Sequence, residues 1–167
     1  MTLLRDEGLT TDRSTGPTGP TGLTAEELAV WRMLQRAQVH ITRHLEAELL
    51  VAHGLPLASY DVLTQLAEAP DRRLRMNDLA GRVLLSRSGL TRLIDRLQRD
   101  GLVAREACAS DARGLFAVLT DRGVARLTEA TPTYLRGIRS EFLDLLGPGE
   151  IRLVREMLAK LPITAAP

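Results

Sequence analysis

Apolar residues recur at spacings of three and four along most of the chain, which predicts a mainly helical protein. The first such stretch begins after Thr24, a suitable N-cap with Glu26 and Glu27 in the following turn, and extends to about His53. Its apolar stripe comprises Val30, Leu34, Ala37, Ile41, Leu45 and Leu49. A helix of about 30 residues is about 45 Å long. Because one small core cannot cover that length, part of this helix should pack on another subunit.

Three shorter helices follow, and the last two have the layout of a helix-turn-helix. They are predicted at residues 57–69, at residues 76–83 and from Ser86, an N-cap, to Gly101, a C′ glycine. The buried face of the last helix is predicted to hold Leu90, Leu93, Ile94 and Leu97. Two apolar runs then predict strands at Leu102 to Cys108 and Leu115 to Leu119, joined by a loop over residues 109–114. This hairpin would be a wing.

Two amphipathic helices complete the chain. One is capped by Thr120 and contains Pro132, where a bend is expected, and the other extends from Glu150 to about Leu161. The apolar stripes of the terminal helices lack a partner in a chain of this size, so we expect them to pair across a two-fold axis. The predicted interface contains Trp31, Leu34, Leu135, Ile138, Phe142, Ile151, Val154 and Leu158. The chain thus divides into a flexible Gly/Pro-rich tail (1–22), a winged helix-turn-helix (57–119) and dimerisation helices (24–53 and 120–162).

Composition agrees with a globular chain in the cytoplasm. The 167 residues suit one domain, with 44% hydrophobic and 26% charged residues. No apolar run reaches the length of a membrane span or a signal peptide, and the lone Cys108 cannot form an intrachain disulfide. The formal net charge is only +1. Residues 71–114, however, contain ten arginines and six acidic residues, a local excess of four positive charges.

The polar face of the predicted fourth helix carries the residue types that read DNA. Arginine can pair bidentately with guanine, and serine or threonine hydroxyls reach phosphates and base edges. The predicted DNA-contacting residues are Ser86, Arg87, Ser88, Thr91, Arg92, Arg96 and Arg99. The alternative is an ordinary solvated face on which Asp95 and Arg99 form an i, i+4 ion pair. The position between a short helix and a wing favours DNA.

The predicted wing tip holds Asp111 and Arg113, two residues apart and followed by Gly114. At this spacing the carboxylate can hold the stem of the guanidinium side chain and direct the cation off the tip. The narrow and negative minor groove accepts such a cation. The alternative is an ordinary surface turn on which these two charges are incidental.

The chain resembles the MarR family (multiple antibiotic resistance regulators) from about Thr24 to Leu161. The resemblance lies in the stretch from Leu79 to Leu97, the run Asp100-Gly101-Leu102-Val103, the Asp111-Ala112-Arg113 tip and the run Val118-Leu119-Thr120-Asp121-Arg122-Gly123. It implies a homodimer that binds a pseudo-palindromic operator in double-stranded DNA. It also implies release of the operator on binding a small phenolic or anionic molecule. The Thr/Gly/Pro tail departs from the family pattern.

Other chemistry finds less support in the sequence. His40 and His44 are one helical turn apart, but a metal site lacks further ligands, so no metal or cofactor is predicted. A pocket for a small aromatic acid, formed by His40, Arg43, His44 and Tyr60, is one hypothesis, and histidines satisfied on the flank of a helix are the alternative. Redox sensing by Cys108 is disfavoured by the neighbouring carboxylates.

An enzymatic function is not expected, because no nucleophile elbow, phosphate-binding loop or zinc-protease motif is present. The sequence therefore predicts a DNA-binding regulator, most simply a repressor relieved by a ligand. The alternative function is a winged-helix protein-interaction module without DNA binding.

Overall fold

A computed structural model of the chain describes residues 22–83, 85–108 and 111–162, without the side chains of residues 108 and 111–114. The described helices are α1 (Ala25–His53), α2 (Leu57–Glu68), α3 (Met76–Arg82), α4 (Arg87–Arg99), α5 (Asp121–Glu141) and α6 (Pro148–Leu158). The described strands are β1 (Arg73–Arg75), β2 (Val103–Cys108) and β3 (Asp111–Leu119). This confirms the predicted fold class. The predicted tail lies outside the described residues except for Gly22.

The described residues divide between Val39 and His40 into two compact units. The described part of the first unit is the beginning of α1. The Thr24 hydroxyl accepts a hydrogen bond from the Glu27 amide at 3.2 Å, and the Glu27 carboxylate accepts from the Thr24 amide at 2.7 Å. The bond from the Thr24 backbone also lowers the pKa of Glu27. This capping box confirms the predicted helix start.

The second unit contains the core, in which α2 and α4 bury their apolar faces against the sheet. Its fully buried large side chains are Leu49, Leu63, Leu66, Leu79, Leu90, Ile94 and Leu97. The last three belong to the predicted buried face of α4, and Leu93, the fourth, is also buried. Burying an aliphatic side chain stabilises a fold by about 1.5–3 kcal/mol. The core therefore fixes α4 firmly and leaves its opposite face for solvent.

The sheet has three antiparallel strands in the order β1-β3-β2. Two predictions were wrong here. The sequence pattern missed β1, a three-residue strand whose Leu74 lies opposite Ala117 of β3. The predicted loop over residues 109–114 is too long, because β3 begins at Asp111, with a register shift between Ala107 and Cys108. A bulge adds an unpaired residue to one strand and so interrupts the alternation of polar and apolar residues from which a strand is predicted.

Two boundaries of the C-terminal helices also differ from prediction. Phe142, predicted within the long helix, is its C-cap with φ −144° and ψ −64°, so α5 ends at Glu141. The last helix begins at Pro148 rather than Glu150 and ends at Leu158. Proline suits the first turn because its missing N–H would have no helical acceptor there. The Gly147 amide donates to the Glu150 carboxylate at 2.7 Å, which anchors this start.

The contact between the base of the wing and α5 is close. Gly123 lies in the first turn of α5, where Thr120 Oγ1 caps the helix by accepting from the Gly123 amide at 3.0 Å. A Cβ atom at residue 123 would overlap the carbonyl oxygen of Leu102 and approach Leu119 Cδ1 to 2.6 Å. Only glycine therefore fits between the two elements.

Among the described helices, none combines the length and the apolar character that a membrane span requires.

Candidate nucleic-acid interface

The N-terminal end of α4 has an exposed polar face and a buried apolar face. Ser86 caps the helix, since its hydroxyl accepts from the Gly89 amide at 3.1 Å. Four predicted DNA-contacting residues after the cap are exposed: Arg87, Ser88, Thr91 and Arg92. Because Leu90, Leu93 and Ile94 anchor the other face of the helix, these side chains are presented on a rigid element.

The side chains on this surface make only local contacts. The Thr91 hydroxyl donates to the Arg87 carbonyl at 2.8 Å, and Arg92 Nε donates to the Ser88 carbonyl at 3.4 Å. Among the described residues, the Arg87 guanidinium has no hydrogen-bond or ion-pair partner. Most guanidinium donors on this surface thus remain available to an external acceptor. The surface can accommodate base edges or phosphates without first breaking an internal ion pair.

Arg96 and Arg99 lie further along α4, and only Arg96 contacts another described element. Arg96 Nη2 donates to the hydroxyl of Ser59 on α2 at 3.2 Å, so this guanidinium is directed towards α2. Arg99 Nε donates to the Asp95 carbonyl at 3.4 Å, and the Asp95 carboxylate has a different partner. Both arginines lie in the second half of the helix. Of the predicted DNA-contacting arginines of α4, only Arg96 is therefore engaged with another described element of the fold. Arg99, like Arg92, bonds a carbonyl of its own helix and keeps its other donors available.

Arg105 is a functional candidate that the sequence analysis missed. From β2 it pairs with Asp95 at 2.5 Å, and it donates to the Gln98 side chain at 3.1 Å and to the Thr91 carbonyl at 3.3 Å. One side chain thus joins the wing strand to three residues of α4. The sequence offered opposite charges on α4 and on the following strand, but Asp95 was interpreted as the partner of Arg99.

Arg113 and Asp111 belong to the first residues of β3, but their side chains lie outside the described residues. Their predicted minor-groove role stays a prediction.

On the same sheet, Arg73 and Arg75 place their guanidinium carbons 5.3 and 5.6 Å from the centre of the Phe116 ring. Cation–π contacts of this length hold both cations on the β1–β3 surface.

The residues of the predicted ligand pocket do not meet in one cavity. His40 Nε2 lies 2.8 Å from a carboxylate oxygen of Glu141, and His44 Nε2 lies 3.5 Å from the other oxygen and 3.4 Å from Glu48. His44 lines a cavity of about 350 Å³ with Thr133 and Arg136. Arg43 lines neither this cavity nor that of Tyr60. Both histidines thus have carboxylate partners, and the predicted pocket stays a prediction.

Tyr60 instead lines a different cavity of about 250 Å³, between α2, the end of α3 and α5. Its ring stacks on Tyr134 with centroids 4.4 Å apart. The other polar residues of the lining are Asp61, Thr64, Gln65 and Arg82. Asp61 is exposed at its outer side, but partial desolvation, and secondarily the charge of Glu46, raise its pKa. Desolvation, followed by Asp61 and Tyr60, also raises the pKa of Tyr134. This cavity offers an aromatic wall and a guanidinium.

In the described part of the chain, no three His, Cys, Asp or Glu side chains are grouped so as to hold a metal ion.

The predicted dimer residues are all at least partly exposed within one chain. Trp31 and Leu135 are each 53% exposed, Leu34, Ile151 and Leu158 are also exposed, and Ile138, Phe142 and Val154 are half-buried. None belongs to the core, so all remain free to form an interface.

Comparisons with known proteins agree with this architecture. A family model described as MarR family matches residues 53–114. Sco3205 of Streptomyces coelicolor, a MarR family transcriptional regulator with a crystal structure in complex with DNA, is 39% identical; the match covers 82% of this chain and 89% of Sco3205, with a TM-score of 0.77.

Two regulators of Bacillus subtilis (strain 168) are also similar. The HTH-type transcriptional regulator MhqR is 27% identical over 143 residues, covering 86% of this chain and 96% of MhqR. The HTH-type transcriptional repressor YetL is 33% identical over 95 residues, covering 57% of each chain. The chain belongs to the MarR family of transcriptional regulators, which confirms the resemblance found in the sequence.

Proposed function

We propose that this regulator is a homodimeric repressor that binds a pseudo-palindromic operator in double-stranded DNA and releases it when a small aromatic or anionic molecule binds. The observation that carries the DNA contact is the exposed start of α4, with Arg87, Ser88, Thr91 and Arg92 on a helix whose other face is buried. A helix presented in this way enters the major groove with its N-terminal residues towards the bases.

The DNA-bound structure of Sco3205 supports this assignment, because that protein is 39% identical over most of the chain. The name of YetL, a repressor, supports repression as the direction of regulation. In the proposed division of labour, residues 57–119 bind DNA and residues 24–53 and 120–162 form the dimer. The cytoplasm, where the DNA of a bacterial cell lies, is the proposed location.

Unpartnered apolar side chains support the dimer. At the start of α1, Val30, Trp31, Met33 and Leu34 are 46–68% exposed, and on α6 Ile151, Leu153, Met157 and Leu158 are 41–55% exposed. Large apolar patches are rare on the surface of monomers and mark interfaces. A two-fold dimer would cover these side chains and also set the spacing between the two copies of α4 that a palindromic operator requires.

The Tyr60–Tyr134 cavity supports the effector. It lies against α2 and the end of α3, the first helix of the helix-turn-helix, and its stacked rings and Arg82 suit a small aromatic acid. A ligand there would act on the spacing between α3 and α5. We propose this cavity as the effector site in preference to a pocket around His40, Arg43 and His44.

Selection of DNA from a random pool by the purified full-length protein tests the proposed function. We expect a palindromic consensus, bound by one dimer with an affinity at least about 1000-fold above that for random duplex at the same salt. Sedimentation at micromolar protein concentration should give a dimer. If no sequence is enriched even at low salt, the protein-interaction module becomes the better interpretation.

Titration of that complex with benzoate and simple phenolic acids tests the effector. Release should be lost in Tyr134→Leu, which removes the stacked ring, and retained in Thr128→Val, a substitution on the exposed side of α5. Equal release from both variants would exclude the Tyr60–Tyr134 cavity as the effector site.

A further inference from the structure

A third cavity, of about 630 Å³, lies at the opposite end of α4 from the proposed DNA contacts. It is bounded by the α1–α2 turn, the last turn of α4 and the first turns of α5, all within residues 40–167. Its polar lining consists of Ser59, Arg96, Asp100, Arg122, Arg126 and Glu129. We name it the α4–α5 cavity. It shares no lining residue with the Tyr60–Tyr134 cavity.

Ser59 is the most buried polar residue of the α4–α5 cavity. Its side chain is buried, with 1% of the residue exposed, and its hydroxyl accepts a hydrogen bond from Arg96 at 3.2 Å. Among the described residues, this hydroxyl donates to no acceptor. A buried hydroxyl donor without an acceptor raises the free energy of the folded protein, and an external acceptor would remove this penalty. Arg96 has four further N–H donors with which to hold the same acceptor.

Arg122 provides a second cation. Among the described residues its guanidinium has neither a hydrogen bond nor an ion pair, and it lies over Gly101, whose φ of +71° turns the chain after α4. Arg126 is paired with Glu129 at 3.6 Å, so these two charges largely offset each other. Asp100 is the remaining carboxylate. Three guanidinium groups therefore face two carboxylates, and the two cations without carboxylate partners, Arg96 and Arg122, belong to different helices.

We propose that the α4–α5 cavity binds a small molecule through a phosphate or carboxylate group, held by Arg96, Arg122 and the Ser59 hydroxyl. Guanidinium groups form the strongest hydrogen bonds with such oxyanions, and a hydroxyl donor adds direction. The apolar residues of the lining, Leu55, Leu97 and Leu102, would contact the rest of the molecule. The bound molecule would touch the last turn of α4 and so act on the proposed DNA-reading helix from behind.

The test is a titration of isotope-labelled, DNA-free dimer with inorganic phosphate and, separately, acetate at constant ionic strength in chloride. Saturable shifts of the Ser59 amide and the Arg122 side-chain N–H resonance are expected with at least one anion. Removing a charged hydrogen bond costs about tenfold in affinity, so Arg122→Ala should raise Kd about tenfold. Asp100→Asn should lower Kd, because it removes a repulsive charge.

The matched control is Arg152→Ala, which removes one exposed positive charge on α6, outside the cavity, and should leave Kd unchanged. Circular dichroism verifies that the variants are folded. Shifts that do not saturate, or that weaken equally in Arg122→Ala and Arg152→Ala, would overturn the proposal. So would an Arg122→Ala protein with unchanged anion binding and a smaller salt slope for operator binding, since Arg122 would then contact DNA phosphate.

Discussion

Arg105 and Asp95 form an ion pair of 2.5 Å that joins the first wing strand to the middle of α4. Arg105 is only 23% exposed, and its other donors reach Gln98 and the Thr91 backbone. Thr91 lies on the proposed DNA surface, so Arg105 links the position of the wing to that of the helix. A planar guanidinium can hold several acceptors in one fixed geometry, which an ammonium cannot.

We expect Arg105→Ala to lower the free energy of unfolding by about 1–2 kcal/mol, because a partly exposed ion pair and two hydrogen bonds are lost. Operator affinity should fall by more than it does in a variant that loses one positive charge elsewhere on the surface. Chemical denaturation and fluorescence anisotropy measure the two quantities. Arg139→Ala removes an equal charge from an exposed pair with Asp144 and is the control. Equal affinities of the two variants would show that Arg105 does not position α4.

The close approach at Gly123 predicts a large stability effect from one methyl group. Gly123→Ala should destabilise the fold by about 1–3 kcal/mol, because its Cβ would displace the Leu102 carbonyl or Leu119. Gly149→Ala is the control, since no atom lies within 4 Å of its added Cβ and alanine favours the helix by about 1 kcal/mol. Thermal unfolding of both variants should give opposite shifts of Tm. A Gly123→Ala protein as stable as the parent would contradict the packing.

The sequence predicted the elements that depend on local signals and missed those set by distant partners. Thr24, Ser86 and Thr120 each cap the helix they were expected to cap, because a side chain reaching three residues ahead is a local interaction. Strand β1 has three residues and exists only because Leu74 pairs with Ala117, more than 40 positions away. Such a strand carries no periodicity of its own.

The same distinction between local signals and distant partners applies to the candidate site. The buried positions of α4 follow from a 3.6-residue period, and with them the identity of the exposed side chains. The partner of Asp95 does not follow, since both Arg99 and Arg105 were available and only tertiary geometry selects Arg105. Likewise, the sequence grouped Tyr60 with the histidines of α1, whereas in the fold its ring stacks on Tyr134 of α5.

The N-terminal surface of α4 predicts base-specific effects. Arg87→Ala and Arg92→Ala should each weaken specific binding by about 1–3 kcal/mol and relax preference at one position per half-site, if the guanidinium groups read base edges. Binding to the selected operator and to single-base variants at one salt concentration measures both effects. With Arg139→Ala as the charge control, parental affinity in both α4 variants would exclude this surface as the reading face.

The wing predicts a different signature. Arg113→Ala should weaken binding to all sequences and reduce the salt slope by about 1 per subunit, because a minor-groove cation acts through phosphates and groove width. Asp111→Ala should also weaken binding, since ordering a freed arginine costs up to about 2 kcal/mol of side-chain entropy. Titrations at three salt concentrations measure both variants. Tighter binding by Asp111→Ala would show that the carboxylate does not hold Arg113.

Asp61 predicts how stability depends on pH. Desolvation and Glu46 raise the pKa of this carboxyl in the folded state, so the native protein binds the Asp61 proton more strongly than the unfolded chain does. The free energy of unfolding should therefore fall as pH rises from the ordinary aspartate pKa through the raised one. Above that window the ionised carboxylate destabilises the fold, and below it the effect vanishes.

Asp61→Asn removes this titration and should raise the urea midpoint at pH 7 relative to the parent. The difference should shrink towards zero as the pH is lowered below the ordinary aspartate value. Because Asp61 also raises the pKa of Tyr134, the tyrosine should titrate at lower pH in the variant, which ultraviolet absorbance can follow. Asp78→Asn, an exposed carboxyl in the first turn of α3, is the control. It should be neutral or destabilising, since a carboxylate there favours the helix dipole. An Asp61→Asn protein less stable than the parent at pH 7 would show that the carboxylate is stabilised by a partner rather than strained by its surroundings.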